Sequence, residues 1–575
     1  MAGSLGRDVI VYREQRIRAD PGETLLELRR RVDRLPRVPD HDTVVGLLVD
    51  VGALEAGIAD ALAPKCDEEE TVTRELRRAT LAVGHALAAS WYGRGELLAQ
   101  WCAELARRLQ ACTTLALPAE VDLRVPEGFA QYALYPECYL EAAERVAGEV
   151  CGSPVVCLGI RSIGTALSAI VAASLEDRGC SVVSYTIRPR GHPFDRRPVL
   201  GRALRARLAT AQDAVFLLVD EGPGISGSSL AGTAEVLASL DIPDERILMV
   251  PSWDPPAASL RSETARRRWH RHRRYVSSFE HTWLESGRMD DLLGKALVTD
   301  ISAGRWREEL IAEPGRRPTI HPQHERRKLR TPGTLLRFAG LGNLGHKRLA
   351  RARALADLGF SPHPARLSHG FLALELVPGA PLVRGELDAE LLDRMARYLA
   401  CLRERFALSE SQRTDLSEMM HVNLAEVGLE AWADNLSDPV DGPPVAVDGR
   451  MLPHEWLRTG RGYLKVDALD HHDDHFFPGP VDIAWDVAAA TVEFGMSAEA
   501  RQVLVERYRR ISGDRTIGRR LPFYTVAYLA SRIGYASLAV EVLGETADAR
   551  GFQRMQQEYQ AVLADERVTS PSAYV

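Results

Sequence analysis

The segment Val215-Phe-Leu-Leu-Val-Asp-Glu-Gly-Pro-Gly-Ile-Ser-Gly-Ser-Ser-Leu230 decides the fold expected for its region of the chain. A short apolar run, typical of a buried strand, ends in two adjacent carboxylates, and a glycine-rich turn with several serines precedes a predicted helix. Backbone N–H groups, hydroxyls and the positive end of that helix favour a phosphate site, while the carboxylates can accept hydrogen bonds from sugar hydroxyls. The alternative is a plain junction in which Ser228 or Ser229 caps the helix. The candidate ligand-binding residues are Asp220, Glu221, Gly224, Ile225, Ser226, Gly227, Ser228 and Ser229.

Short apolar runs alternate with helical patterns on both sides of this segment. Residues 155–160, 181–187 and 247–250 are predicted strands, with helices between them. Strands that alternate with helices predict an α/β fold with a parallel sheet, and such sheets bind ligands at the carboxyl ends of their strands. The loops that follow Ile160, Ile187 and Val219 are therefore expected to form one site.

The same segment resembles the diphosphoribosyl-binding motif of type I phosphoribosyltransferases, and the resemblance covers roughly residues 120–300. It implies that Asp220 and Glu221 contact the ribose hydroxyls and a Mg²⁺ ion. It also implies that the following loop binds the 5-phosphate of phosphoribosyl pyrophosphate. The turn Gly222-Pro-Gly224 departs from the family pattern and is expected to stiffen the loop.

Two further segments fit this family in the expected order. Gly159-Ile-Arg-Ser-Ile-Gly-Thr165 resembles its pyrophosphate loop, and residues 188–197 lie where the family has a flexible hood. The implied reaction displaces pyrophosphate from ribose C1, with Mg²⁺ and arginines stabilising the leaving group. The residues that the resemblance implicates are Arg161, Ser162, Gly164, Thr165, Arg188, Arg190 and, for the proton of the acceptor, His192.

The C-terminal half carries a different pattern. The segment His369-Gly-Phe-Leu-Ala-Leu-Glu-Leu-Val-Pro-Gly-Ala-Pro-Leu382 resembles the hinge of aminoglycoside phosphotransferases and choline kinases, and Gly462-Tyr-Leu-Lys-Val-Asp467 resembles their metal-binding segment. The resemblance implies a kinase-like fold that uses ATP. In that fold Asp467 would hold Mg²⁺, while Asp486 would be structural.

The sequence departs from the kinase pattern at two places that the chemistry uses. The catalytic His-x-Asp-x-x-x-x-Asn motif is absent, and Asp448-Gly-Arg-Met-Leu-Pro-His-Glu-Trp456 stands in its place, with Glu455 near the usual Asn position. Arg337 replaces the strand lysine that would hold ATP phosphates, in a chain with only five lysines. The sequence is therefore compatible with an active and with an inactive kinase-like domain.

The run Asp470-His-His-Asp-Asp-His475 contains the ligand types of a metal site. Consecutive residues cannot all face one ion, so two or three of them, drawn from the carboxylates and from His471, His472 and His475, could bind one. A role near Asp467 and a solvated loop are the alternatives.

Composition limits the class of protein. The 72 Lys+Arg and 79 Asp+Glu residues give a net charge of −7, which does not favour a nucleic-acid or anionic-membrane binder. The basic segment 266–275 is either a nucleic-acid patch or a solvated helix face. Eight cysteines without a Cys-x-x-Cys pair predict free thiols in a reducing cytoplasm. No apolar stretch approaches the ~20 residues of a membrane span, and no signal peptide is recognised.

These patterns predict an α/β protein with three regions. Residues 1–118 would be a mainly helical extension, 119–300 a phosphoribosyltransferase-like parallel-sheet domain, and 301–575 an α+β kinase-like domain. The leading expectation is Mg²⁺-dependent transfer of phosphoribosyl from phosphoribosyl pyrophosphate to an unidentified small molecule. The alternatives are a non-catalytic sensor of a nucleotide or of phosphoribosyl pyrophosphate, and a small-molecule kinase that uses ATP. The sequence does not determine the oligomeric state, and a homo-oligomer is compatible with it.

Overall fold

The computed structural model of the protein describes residues 9–293, 298–434, 436, 439 and 441–565. The first region is mainly helical because apolar residues recur at three- and four-residue steps, so that each helix buries one face. Asp20 and Asp40 cap the first two helices by accepting hydrogen bonds from backbone N–H groups. The elements are β1 (Arg16–Ala19), α1 (Pro21–Asp33), α2 (His41–Leu62), α3 (Thr71–Trp91), α4 (Gly95–Cys112), β2 (Val121–Arg124), α5 (Glu127–Ala130) and α6 (Pro136–Val150).

A four-stranded parallel sheet forms the second region, so the predicted parallel α/β sheet is confirmed. The elements are β3 (Val155–Ile160), α7 (Ile163–Glu176), β4 (Val182–Ile187), β5 (Pro189–Arg190), β6 (Arg197–Pro198), α8 (Arg202–Thr210), β7 (Val215–Val219), α9 (Ser228–Ala238), β8 (Ile247–Val250), α10 (Glu263–Trp269) and α11 (Asp290–Leu293). The strand order is β4-β3-β7-β8, so β3 pairs in parallel with both β4 and β7. The direction of winding switches between β3 and β7, which is where open α/β sheets bind ligands.

The third region combines an antiparallel five-stranded sheet with a mainly helical part. The elements are β9 (Thr299–Asp300), α12 (Trp306–Leu310), β10 (Lys328–Thr331), β11 (Thr334–Phe338), α13 (Asn343–Asp357), β12 (Pro364–Ser368), β13 (Phe371–Glu375), β14 (Ala380–Pro381), α14 (Ala389–Arg405), α15 (Ser417–Ala425), α16 (Ala431–Asp434), β15 (Pro444–Val445), β16 (Trp456–Thr459), β17 (Gly462–Lys465), β18 (Val481–Asp482), α17 (Ala484–Glu493), α18 (Ala498–Ser512), α19 (Ile517–Leu543) and α20 (Ala547–Ala564). The large sheet has the order β12-β13-β11-β10-β9, and β14, β16 and β17 form a smaller sheet. The helical part has a hydrophobic core of its own around Trp485 and Tyr528.

One hydrophobic core joins the first two regions. Helix α3 lies so close to α7 that a Cβ added at Gly84 would lie 2.7 Å from the carbonyl oxygen of Ala169. The same core continues into β11 and β13 through Phe338 and Phe371. Residues on both sides of position 118 therefore share one core, and the predicted domain boundaries stay predictions.

The cysteine prediction is wrong for one pair. Cys151, just after α6, and Cys180, just before β4, form a disulfide with their Cα atoms 5.1 Å apart. No motif links the two positions, which lie 29 residues apart, and only the packing of α6 beside the sheet brings them together. The six other cysteines are free thiols.

Helix α19 is long and apolar enough, by length and composition alone, to cross a membrane. Most of its apolar window is buried inside the protein, as in the core helix of a soluble protein, so it is weak support for a membrane span. The predicted cytoplasmic location stays a prediction.

The arginine-rich segment 266–275 is paired with carboxylates of the protein itself. Arg268 contacts Glu235 at 3.0 Å. Trp269 is buried, and its indole N–H donates a hydrogen bond to Asp254. These contacts favour the helix-face interpretation, and the absence of a nucleic-acid partner stays a prediction.

Candidate functional site

A cleft between the five-stranded sheet and the helical part of the third region encloses about 430 Å³. Leu374 and Val377, at the end of β13 and just after it, give one wall an apolar character. Arg337, Arg450 and Asp467 line the same cavity and give it charged groups. Ligand pockets typically combine an apolar lining with a few placed polar groups. The arrangement therefore suits a ligand that has both a flat ring and anionic groups.

Asp448, in the loop that replaces the usual kinase motif, is buried and does not line the cavity. Its carboxylate accepts a hydrogen bond from the Tyr398 hydroxyl at 2.7 Å. The backbone N–H groups of Asp448 and Gly449 donate to the Asp486 carboxylate at 2.6 and 2.8 Å. Burial and the nearby Asp448 carboxylate raise the pKa of Asp486 to about 7. Asp486 thus holds the loop backbone, the structural role that the resemblance implies.

Lys465, at the end of β17, is fully buried between two carboxylates. Its Nζ lies 2.6 Å from Glu455 Oε2 and 3.1 Å from Asp448 Oδ2, and it donates a hydrogen bond to the carbonyl oxygen of Asp467. Burial alone would lower the pKa of Lys465, but the two carboxylates raise it above its usual value. No motif in the sequence indicates a role for Lys465. Its position two residues before Asp467, in a chain with few lysines, is the signal that was available.

Arg337, on β11, pairs with two acids in the same way, the buried Asp470 and the partly exposed Asp467. Its Nη2 lies 2.9 Å from Asp467 Oδ1 and 2.6 Å from Asp470 Oδ1. Burial would raise the pKa of both carboxyls, but Arg337 holds the pKa of each well below its usual range. The guanidinium therefore contacts the carboxylate that the family resemblance assigns to Mg²⁺.

The run 470–475 is not a solvated loop. Asp470, His471 and His475 are buried, and Arg326 contacts Asp470 at 2.9 Å. His475 faces the segment just after α5, where its Nε2 lies 2.8 Å from the Tyr132 hydroxyl. His471 faces the cleft, and although burial opposes its protonation, the surrounding carboxylates raise its pKa to about 9. The histidines of the run therefore do not converge on one point.

A magnesium ion does not fit the carboxylates of this cleft. Among the residues that the structure describes, two sets of side chains have ligand atoms within 4.8 Å of one another: Asp448, Glu455 and His471, and Asp467, Asp470 and His471. Lys465 contacts both carboxylates of the first set, and Arg337 contacts both carboxylates of the second. A divalent cation would have to approach these fixed positive charges at close range. Binding of Mg²⁺ by Asp467 is therefore not supported by the geometry.

The acidic pair after β7 lies at the carboxyl edge of the parallel sheet, as predicted. The Tyr139 hydroxyl donates to the Asp220 carbonyl at 2.8 Å, and a Cβ added at Gly128 would lie 2.8 Å from Glu221 Oε1. Burial raises the pKa of Asp220 to about 7. Burial, with repulsion from Glu127 and Asp220, raises the pKa of Glu221 to about 8. Such shifts are typical of functional sites but also occur in structural clusters.

In the loop that follows, neither Ser228 nor Ser229 caps the helix, so that alternative is wrong; the Ser226 hydroxyl oxygen accepts a hydrogen bond from the Ser228 backbone N–H at 3.3 Å. Helix α9 begins after Gly227, which has a φ of +67° and forms no side-chain cap. The Ser228 hydroxyl donates instead to the carbonyl oxygen of Pro193 in the predicted hood. Ser226 and Ser229 are partly exposed, and Gly224 and Ile225 are exposed.

Three arginines predicted to contact pyrophosphate or to close over it are paired with acids of the first region. Arg161 Nη1 lies 2.9 Å from Asp60 Oδ1, and its other nitrogen contacts Asp67. Arg188 and Arg190 contact the same two carboxylates at 3.0 Å. Because Asp60 and Asp67 lie about a hundred residues upstream, no local pattern predicts this pairing. Anion binding by these arginines stays a prediction.

The predicted pyrophosphate loop lies against the acidic pair. Ser162 has a φ of +110°, which is unusual for a residue with a side chain. A Cβ added at Gly164 would lie 2.7 Å from the carbonyl oxygen of Val219, so this turn needs glycine. Thr165 is buried, and its hydroxyl has no hydrogen-bond partner among the described residues. His192 is exposed in the hood, and its Nδ1 accepts a hydrogen bond from the Phe194 backbone N–H at 3.3 Å.

Comparison with solved structures finds kinases. A choline/ethanolamine kinase family protein from Mesorhizobium loti is 18% identical and covers 47% of this chain and 97% of its own, with a TM-score of 0.32. Choline kinase LicA from Streptococcus pneumoniae is 12% identical and covers 48% and 98%, with a TM-score of 0.32. Macrolide 2'-phosphotransferase MphH from Brachybacterium faecium is 18% identical and covers 40% and 87%, with a TM-score of 0.27.

No protein-family model matches the sequence, and no curated protein matches it. The kinase likenesses extend over about half of the chain, but their TM-scores lie below 0.5 and no functional conclusion rests on them. The comparisons give no support to a phosphoribosyltransferase domain or to phosphoribosyl pyrophosphate as a co-substrate.

Proposed function

We propose that the cleft of the third region binds a nucleoside triphosphate and that the protein is a small-molecule kinase. The observation that carries this proposal is that apolar and cationic side chains line one and the same cavity. Leu374 and Val377 suit the faces of a nucleobase, and Arg337 and Arg450 suit its phosphates. Guanidinium groups are good phosphate ligands because they stay charged and present several N–H donors.

The acceptor would lie beside the carboxylates that line the same cavity. Glu455 and Asp467 belong to that lining, whereas Asp448 is buried behind it. Burial opposes ionisation of Asp467, but Arg337 keeps the pKa of this carboxyl well below its usual range, so it is ionised at neutral pH. An ionised carboxylate can accept the hydrogen bond of an acceptor hydroxyl and take its proton.

Phosphoryl transfer can be tested with the full chain, ATP and a panel of small alcohols and amines. We expect ADP and a phosphorylated product, and we expect Asp467→Asn to slow their formation by about 10²–10⁴-fold. The matched control is Asp393→Asn, because Asp393 lies on α14, outside the cavity lining, and pairs with Arg397 on its own helix. No turnover with any acceptor, or equal turnover in Asp467→Asn, would contradict the proposal.

We infer, as a second candidate, that the switch between β3 and β7 binds a ribose phosphate ester. The favouring observation is the contact of two loops there, because Gly164 packs against Val219 directly beside Asp220. Helix α9 begins after the same loop, and a helix N-terminus attracts phosphate. The carboxyls of Asp220 and Glu221 could accept hydrogen bonds from ribose hydroxyls.

Phosphoribosyl pyrophosphate is the probe for this second candidate. We expect it to bind, and pyrophosphate release with an acceptor would indicate a transferase, whereas binding without release would favour a sensor. The double variant Asp220→Asn with Glu221→Gln should lose binding, while Asp213→Asn, an exposed position before β7, should keep it. If the wild-type protein does not bind phosphoribosyl pyrophosphate, the proposed ribose phosphate site between β3 and β7 is wrong.

A further inference from the structure

We propose that the cleft binds nucleotide phosphates directly through Arg337 and Arg450, without a divalent metal ion, because Lys465 and Arg337 already neutralise the carboxylates that such an ion would need. The inference rests on the nucleotide binding proposed above and specifies how the phosphates are held. It departs from the Mg²⁺ dependence that the family resemblance implies.

The first step is the position of the Lys465 ammonium. It contacts three oxygens, of Glu455, Asp448 and the Asp467 backbone, and it is wholly buried. A lysine that is buried without partners is costly, so these contacts fix the ammonium in place. The ammonium therefore lies between the two carboxylates of the set Asp448, Glu455 and His471, where a metal ion held by that set would have to bind.

The second step is the pairing of the remaining acids. Asp467 and Asp470 both contact Arg337, and Arg326 contacts Asp470 from another side. Each carboxylate of the two possible ligand sets therefore touches a permanent positive charge. Arginine does not deprotonate in proteins, so these pairs persist across the physiological pH range.

The third step is the unused donor capacity of the two arginines. Arg337 is 4% exposed, lines the cavity, and its Nε has no hydrogen-bond partner among the described residues. The Nε of Arg450, which also lines the cavity, lacks a partner in the same part of the chain. Buried donors without partners are unfavourable, and phosphate oxygens would satisfy them.

Calorimetric titration of the full chain with ATP, in buffer with EDTA and in buffer with Mg²⁺, tests the inference. We expect the two dissociation constants to agree within about threefold, a difference of less than 1 kcal/mol. Binding that requires Mg²⁺ would overturn the inference and leave the proposed nucleotide site intact. Absence of binding in both buffers would overturn the nucleotide site itself, and the inference with it.

Binding of Mn²⁺ alone, followed by electron paramagnetic resonance, gives a readout that does not depend on nucleotide. We expect no specific Mn²⁺ site in the wild-type protein and a new one in Lys465→Met, where Asp448 and Glu455 lose their cation. Specific Mn²⁺ binding by the wild-type protein would count against the inference. If Lys465→Met does not fold, Arg450→Met is the second variant, with ATP affinity expected to fall about tenfold in both buffers. An unchanged affinity in Arg450→Met would overturn the assigned phosphate contact.

Discussion

Lys465 is the residue on which the charge balance of the cleft depends. Its ammonium lies between Asp448 and Glu455, and none of the three side chains is more than 5% exposed. Two carboxylates so close together would repel each other without it, and the pKa of Asp448 is held below its usual value by Lys465 despite burial. A buried ion pair contributes little beyond an apolar pair of equal volume, but removing one partner leaves a buried charge uncompensated.

Replacing this lysine should therefore destabilise the fold strongly. We expect Lys465→Met to lower the free energy of unfolding by about 3–5 kcal/mol, because Asp448 and Glu455 lose their counter-ion. The matched control is Lys347→Met on α13, where the lysine is exposed and the change should stay within about 0.5 kcal/mol. Urea unfolding of the three proteins measures both values. Equal stabilities would show that Lys465 does not neutralise the pair.

At the scale of elements, the contact between α3 and α7 explains how the helical extension meets the sheet. Gly84 faces the backbone of α7, and the Cβ of any other residue would lie 2.7 Å from the Ala169 carbonyl oxygen. Gly148, in the last turn of α6, has no neighbour within 4 Å of the equivalent position. An added methyl group would therefore clash with α7 at Gly84 but would have free space at Gly148.

The two glycines are therefore predicted to respond oppositely to alanine in the free energy of unfolding. Gly84→Ala should destabilise the protein by about 1–3 kcal/mol, because α3 must move away from α7. Gly148→Ala should stabilise it by about 0.5–1 kcal/mol, because alanine is the better helix former at an exposed position. Thermal and urea unfolding measure both effects. A stabilising Gly84→Ala would mean that the two helices are not in close contact.

The segment before β10 carries a pH-sensitive pair of stacked rings. The rings of His321 and His324 have centroids 3.5 Å apart, and burial lowers the pKa of His321 from 6.5 to about 4. The unfolded chain therefore binds a proton at this ring more readily than the folded protein does. The contribution of the neutral His321 ring to the free energy of unfolding is therefore fully present above pH 6.5 and is lost as the pH falls toward 4.

Acid should accordingly weaken the wild-type protein more than His321→Phe. Between pH 6.5 and 4, protonation of His321 should lower the free energy of unfolding of the wild-type protein by up to about 3 kcal/mol. His321→Phe should not show this decrease, because phenylalanine does not titrate. Urea unfolding at several pH values gives the two curves. Parallel curves would indicate that His321 does not titrate differently in the two states.

For the whole molecule, local patterns were enough to predict some features and not others. The strands of the parallel sheet and the acidic pair Asp220 and Glu221 could be predicted, because a buried strand and the loop after it are encoded in consecutive residues. The pairing of Arg161 with Asp60 could not, because it depends on how α2 packs over the sheet. The disulfide between Cys151 and Cys180 and the contact between Lys465 and Asp448 could not be predicted for the same reason. Each joins parts of the chain that only the fold brings together.

The shared core predicts how the chain responds to truncation. Leu54, Leu87 and Leu105 of the first region are buried in the same cluster as the sheet residues Leu217 and Leu248. Removing residues 1–118 would expose that apolar surface, and we expect residues 119–575 to aggregate or to unfold without a cooperative transition. Cooperative unfolding of the truncated chain, followed by circular dichroism and compared with the full chain, would contradict this account.

Calorimetric titration of the full chain with ATP tests the central claim, nucleotide binding by the cleft, most directly. We predict saturable binding in the wild-type protein and an affinity about 10–100-fold lower in Arg337→Met, because a charge-assisted contact to phosphate is lost. Arg366→Met is the matched control, since Arg366 is exposed on β12 and outside the cavity, and it should bind ATP as the wild type does. The absence of ATP binding in the wild-type protein, or equal affinities in all three, would contradict the claim.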